Sequence, residues 1–108
     1  MKGIRAIIRP QKLPRLREIL RALPGFPGMT ITRAVGCGAT ARHVPNTIKE
    51  ELTDFTDKVR IEIIAPDEIA DQLVDSIVQV ASTGQTGDGL VWVTAVERAV
   101  FIRKTLGC

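Results

Sequence analysis

A chain of 108 residues is long enough for one domain with a modest two-layer core and too short for two independent ones. Aromatic residues are few while Ile, Val, Leu and Ala are frequent, so a core of aliphatic side chains in an α/β or α+β arrangement is expected. Fifteen Lys and Arg against twelve Asp and Glu leave a net charge of only +3, which argues against nucleic acid as a partner and leaves small anions as better candidates.

Cys37 and Cys108 form neither a close CxxC pair nor a dense framework, so no structural zinc site or secreted disulfide scaffold is indicated. No apolar run approaches the roughly 18 residues of a membrane span, and MKGIRAIIRP lacks the apolar core of a signal peptide. The expectation is a soluble protein of a reducing cytoplasm, with no membrane insertion.

From the start, Ile4, Ala6 and Ile8 alternate with Arg5, Ile7 and Arg9 as a first strand that Pro10 ends. A helix begins near Leu13, accepts Pro14 in its first turn and carries an apolar stripe of Leu16, Ile19, Leu20 and Leu23, with Arg15, Arg17, Glu18 and Arg21 on a solvated face. After a Pro- and Gly-rich loop, Met29, Ile31, Arg33 and Val35 alternate with Thr30, Thr32 and Ala34 as a second strand ending at Gly36. From Cys37 to about Asp57 no period is sustained, and a segment this long inside so small a domain reads as the partner-contacting loop.

Lys58 to Ala65 alternates as a third strand closed by Pro66. Asp67 reads as the cap of a second helix with Ile69, Leu73, Ile77 and Val80 at helical spacing, ending near Ser82. Leu90 to Val96 is a fourth strand, and the tail from Glu97 to Arg103 either extends it or pairs elsewhere. Strand, helix, strand, strand, helix, strand is the split βαβ order (βαββαβ) of a ferredoxin-like α+β sandwich, a single domain over 1–108. Helices cover one sheet face. The other, where alternation places Ile7 and Ile64, is expected to stay apolar and to drive homo-oligomer formation.

Between the second helix and the fourth strand lies Thr83 to Gly89, TGQTGDG, with three glycines in seven residues. Two readings stand: turn chemistry that ends a helix and starts a strand, or a cradle of backbone N–H groups for an anion, most naturally a phosphate. His43, the single histidine, lacks a nearby partner for base catalysis or metal binding, and Trp92 reads as core or subunit interface. Neither an arginine-bearing acyl-phosphatase loop nor a paired-cysteine metal motif is present, so a binding and signalling module is expected rather than an enzyme.

The ordered blocks AIIRPQKL, GMTI before GCG, KVRIEIIAPDE, TGQTGDG and a terminal IR resemble the P-II signal-transduction proteins over nearly the whole chain. Similarity to that family implies a ferredoxin-like homotrimer whose inter-subunit clefts bind adenine nucleotides (ATP, ADP or AMP). It also implies a long loop, here about Cys37 to Asp57, that engages a target protein. Carried over residue by residue, Gly87, Asp88 and Gly89 would meet the phosphates, with Gly36, Cys37 and Gly38 at the base of the long loop. Ile7, Thr30, Glu62 and Ile64 would line the nucleoside, and Arg103 would come from the tail.

The chain also departs from the family pattern. Leu90 stands where the family has a lysine after GDG, and Phe101 stands where it has an arginine. Two phosphate-directed cations are thereby missing, so ADP or AMP is expected to be favoured over ATP. Ala39-Thr40 replaces an Arg-Gln pair whose glutamine helps hold magnesium and 2-oxoglutarate, which weakens the expectation of a 2-oxoglutarate response. No tyrosine is present, so the long loop cannot be uridylylated. Divergent P-II-like proteins include carboxysome-linked members responding to bicarbonate and members associated with transporters or metal efflux. Lys58 and Arg42 are the candidate cations for such a small anion, and the target would be a transporter, an enzyme or a carboxysome component.

Overall fold

The computed structural model describes residues 1–37 and 55–102 of the chain. Strand β1 (Lys2–Ile8) leads through a short 3-10 turn at Pro10–Lys12 into helix α1 (Leu13–Arg21). Strand β2 (Thr30–Cys37), strand β3 (Phe55–Ala65), helix α2 (Asp67–Ala81) and strand β4 (Gly89–Ala95) follow. The four strands form one sheet in the order β2-β3-β1-β4, antiparallel at every junction. Each helix therefore crosses between strands separated by one neighbour, which is the split βαβ topology of a ferredoxin-like α+β fold.

Alternation in β1 and β3 is converted directly into burial. Their register sets Ile4 opposite Ile63, Ala6 opposite Ile61 and Ile8 opposite Val59, so one face collects the apolar side chains of both strands. Leu16 and Leu20 of α1, with Leu73 and Ile77 of α2, close over that face. The buried core of the described residues is wholly apolar. Pro14 sits in the first turn of α1, where its missing N–H costs nothing, and Asp67 and Glu68 place negative charge at the positive end of α2.

Several expectations need correction. Strand β3 begins at Phe55, three positions before Lys58, and β2 runs on to Cys37, because Val35 pairs with Asp57 and Cys37 with Phe55. Residues 55–57 and Cys37 thus belong to a two-stranded arm; the remainder of the expected loop lies outside the described residues, as do His43 and Cys108. Asp67 is the first helical residue, with Pro66 at the cap position, and its carboxylate lies 3.0 Å from the amino group of Met1. Strand β4 spans Gly89 to Ala95, one residue earlier than expected at each end. Beyond it Val96 donates to the Met1 carbonyl at 3.1 Å, and residues 97–102 form no strand.

The face turned away from the helices is mixed rather than apolar. Ile7 and Ile64 do lie there, but beside them Arg5 (3.4 Å) and Arg60 (3.2 Å) flank the Glu62 carboxylate. Trp92 pairs with Arg5 on this open face and is half-buried, so it is not a core residue. Among the described residues, no helix is long and apolar enough to cross a membrane.

Candidate functional site

The end of α2 is abrupt. Ser82 donates to the Val78 carbonyl at 3.0 Å and then turns extended, so the next residues must carry the chain back to the sheet. They do so through three glycines at positive φ, Gly84 (79°), Gly87 (93°) and Gly89 (119°). At Gly89 the requirement is absolute, because a Cβ there would overlap the Ile7 carbonyl oxygen and come within 2.9 Å of its carbon.

Asp88 ties the loop to itself. Its carboxylate accepts the Thr83 N–H at 2.6 Å, the Gly84 N–H at 3.0 Å and the Thr83 hydroxyl. Two cations hold the loop from outside. Arg9, just beyond β1, donates through Nε to the Gly87 carbonyl at 3.2 Å and through Nη2 to the Thr86 carbonyl at 2.9 Å, with Asp88 Oδ1 at 3.7 Å. Lys58, on β3, donates from Nζ to the same Gly87 carbonyl at 2.6 Å. The glycine loop, the end of β1 and the base of the β2–β3 arm are thus joined at one carbonyl.

These bonds fix the sign of a pH dependence. The Thr83 hydroxyl and then the Thr83 N–H donate to the charged carboxylate and lower the Asp88 pKa below its ordinary 3.8; partial desolvation opposes this, and the Gln85 N–H and Arg9 add to the lowering. A carboxylate whose folded pKa is lowered stabilises the folded loop above its unfolded value, and that contribution is lost as pH falls through the folded value. Carboxyl-carbon NMR should therefore give an Asp88 midpoint below 3.8, with the Thr83 and Gly84 amide shifts moving in step. A midpoint at or above 3.8, or amides that do not follow it, would show that the tie is not made in solution.

The other candidates are distributed over the sheet. Gly36 lies on the arm opposite Thr56, and Lys58 Cγ would be 3.3 Å from a Cβ built on it, which sets this glycine against the same lysine. Cys37 is exposed at the end of β2, opposite Phe55. Ile7, paired with Leu90, is at the loop end of the open face. Thr30 and Glu62 form a cross-strand pair there, and Ile64 pairs with Gly3. Gly89 pairs with Ile8, so Gly3 and Ile64 sit five strand positions away, roughly 17 Å at about 3.4 Å per residue. One chain brings Gly36, Lys58, Gly87, Asp88 and Gly89 together and leaves Thr30, Glu62 and Ile64 apart from them. Gly38, Arg42 and Arg103 lie outside the described residues.

Beside this cluster, on the helix side of the arm, is an open hollow of about 660 Å³ lined by Pro10, Leu13, Ile31, Val35 and Lys58 among others. The residue that sequence reasoning missed is Arg9. Its alternation marks it only as a strand-end residue of the first strand, and no motif announces that its partners lie 77 and 78 positions further on.

Fold and loop together define a ferredoxin-like α+β domain with a glycine loop tied between its second helix and its edge strand. A family model described as Nitrogen regulatory protein P-II matches residues 1–105. The chain is 43% identical over 104 residues to the Nitrogen regulatory protein P-II of Haemophilus influenzae, covering 95% of this chain and 92% of that protein. It is 44% identical over 104 residues, with the same coverage, to the Nitrogen regulatory protein P-II 1 of Escherichia coli K12. The chain belongs to the P-II family of nitrogen regulatory proteins.

Proposed function

We propose that this chain is a P-II-like signalling protein that binds adenine nucleotide in clefts between the subunits of a homotrimer. Nucleotide occupancy then controls a target protein through the segment between β2 and β3. The observation that carries this reading is the glycine loop, whose backbone Asp88, Arg9 and Lys58 all hold by hydrogen bonds. Fixed amides and glycines without Cβ suit close approach of phosphate oxygens. Separation of Thr30, Glu62 and Ile64 from that loop within one chain supports a site completed by a second subunit.

Nucleotide choice follows from side chains that are not cationic. Leu90 and Phe101 are 57% and 48% exposed where the family pattern has phosphate-directed charges. A charge-assisted hydrogen bond stabilises a bound phosphate by about 1.5 to 3 kcal/mol, and a γ-phosphate suffers most from its absence, so ADP or AMP is favoured over ATP. A second reading, modulation by a small anion such as bicarbonate, is favoured by Lys58, whose ammonium stands at the meeting point of arm and loop. An anion arriving there competes with the Gly87 carbonyl for that ammonium and thereby loosens the arm from the loop. The regulatory output is a shift in the arm's conformational population, not turnover, and the target is a transporter, an enzyme or a carboxysome component.

Calorimetric titration with ATP, ADP and AMP, each with and without bicarbonate or 2-oxoglutarate, tests both readings. Expected is ADP or AMP binding tighter than ATP, with bicarbonate changing the affinity. ATP binding strengthened by 2-oxoglutarate would restore the 2-oxoglutarate-responsive nitrogen-regulator reading, and absence of binding by all three nucleotides would overturn the nucleotide site.

A further inference from the structure

The guanidinium of Arg9 grips the glycine loop at more than one point. It spans two consecutive carbonyls, Thr86 and Gly87, while its Nη2 also faces the Asp88 carboxylate. Both intervening peptides are trans, and in a planar trans peptide the N–H points opposite to the C=O. Holding the Thr86 and Gly87 carbonyls on the guanidinium side therefore directs the Gly87 and Asp88 N–H groups to the other side. Gly87, between the two carbonyls, stands at a left-handed φ of 93°, and a Cβ built there would lie 3.4 Å from Arg9 Nη2.

We propose that Arg9 is a positioning residue that sets the peptide planes of the glycine loop, so that two amides are presented to a phosphate-bearing ligand that Arg9 itself does not touch. The ligand half of this inference rests on the nucleotide reading above; the loop half does not. Lys58 holds only the Gly87 carbonyl, whereas Thr86 is held by Arg9 alone among these two cations. Loss of Arg9 should thus free the Gly87 N–H more than the Asp88 N–H. A lysine at position 9 presents a single point of charge and cannot span both carbonyls, so it restores the interaction only in part.

The test uses the full chain, as wild type, Arg9→Met and Arg9→Lys, with circular dichroism to establish that all three are folded. Backbone amide order parameters are measured without nucleotide, followed by ADP titration. Expected is a Gly87 order parameter that falls from about 0.85 in the wild type to below about 0.6 in Arg9→Met, with a smaller fall at Asp88. ADP affinity should drop roughly ten- to a hundredfold, the range associated with losing one charge-assisted hydrogen bond, and Arg9→Lys should lie between. Unchanged order parameters in Arg9→Met overturn the proposal whatever the affinity does. A mobile loop with unchanged ADP affinity overturns its ligand half. If the wild type binds no adenine nucleotide, the nucleotide reading fails, and the order parameters still decide whether Arg9 sets the loop.

Discussion

Replacing Gly89 by alanine is expected to destabilise the folded domain by several kcal/mol, on the order of 3 to 5, and to lower its denaturant midpoint accordingly. Two independent costs combine at this position. The backbone is held at a φ of 119°, where a side chain is strained by about 1 to 3 kcal/mol. The added Cβ also runs into the Ile7 carbonyl and lies 3.2 Å from Ile8 Cα, so β4 must move off β1 at the first rung of their ladder, Ile8 with Gly89. The collision is with backbone, which cannot rotate aside as a side chain would. Small domains have only about 5 to 15 kcal/mol in total, so a large part of the population should unfold under mild denaturant. A chemical denaturation curve superimposable on wild type would show that β4 does not pair with β1 at this register.

Substitution two residues earlier should have the opposite character. Gly87→Val is expected to abolish nucleotide binding while leaving the fold and its oligomeric state intact. Here the neighbours of a new Cβ are the side-chain ends of Arg9, at 3.4 Å, and Lys58, at 4.0 Å, rather than backbone. The φ of 93° is forbidding for a β-branched residue, so the loop must re-form with a different path, and the carbonyls of Thr86 and Gly87 leave their cations. The loop is exposed and contributes no residue to the buried core, which is why global stability should change by no more than about 1 to 3 kcal/mol. Calorimetry and size-exclusion chromatography on the same sample separate the outcomes. Nucleotide binding retained in Gly87→Val would place the cleft elsewhere on the molecule.

The two glycines differ in a way that spacing alone does not reveal, and the same division runs through the rest of the chain. The strand that holds Ile4, Ala6 and Ile8 and the one that holds Ile61 and Ile63 are legible because a two-residue period meets a single buried face. Both helices are legible from stripes one turn apart. Phe55 to Asp57 were hidden because Thr56 and Asp57 interrupt the apolar alternation, and their pairing with Gly36 and Val35 decides the matter. The glycine loop could be found from its spacing, but the roles within it could not. Asp88 is turned inward as the loop's own tie, and the cations that grip it come from β3 and from the end of β1. The apolar open face failed as an expectation for a related reason: alternation assigns a face to Arg5, Arg60 and Glu62 as readily as to Ile7 and Ile64, and their mutual pairing is a cross-strand fact.

The ladder joining β2 to β3 ends with Cys37 opposite Phe55, and farther in it sets Ile31, still 40% exposed, against the core residue Ile61. A slip by one residue would carry every side chain of β2, Ile31 and Val35 included, to the opposite face. Whatever connects its two tips is therefore free to change in length and composition at small thermodynamic cost, since doubling a connection adds only about 0.6 kcal/mol of closure entropy. In these terms the domain is a socket: exchanging the segment 38–54 is expected to leave the sheet, the core and the glycine loop as they are.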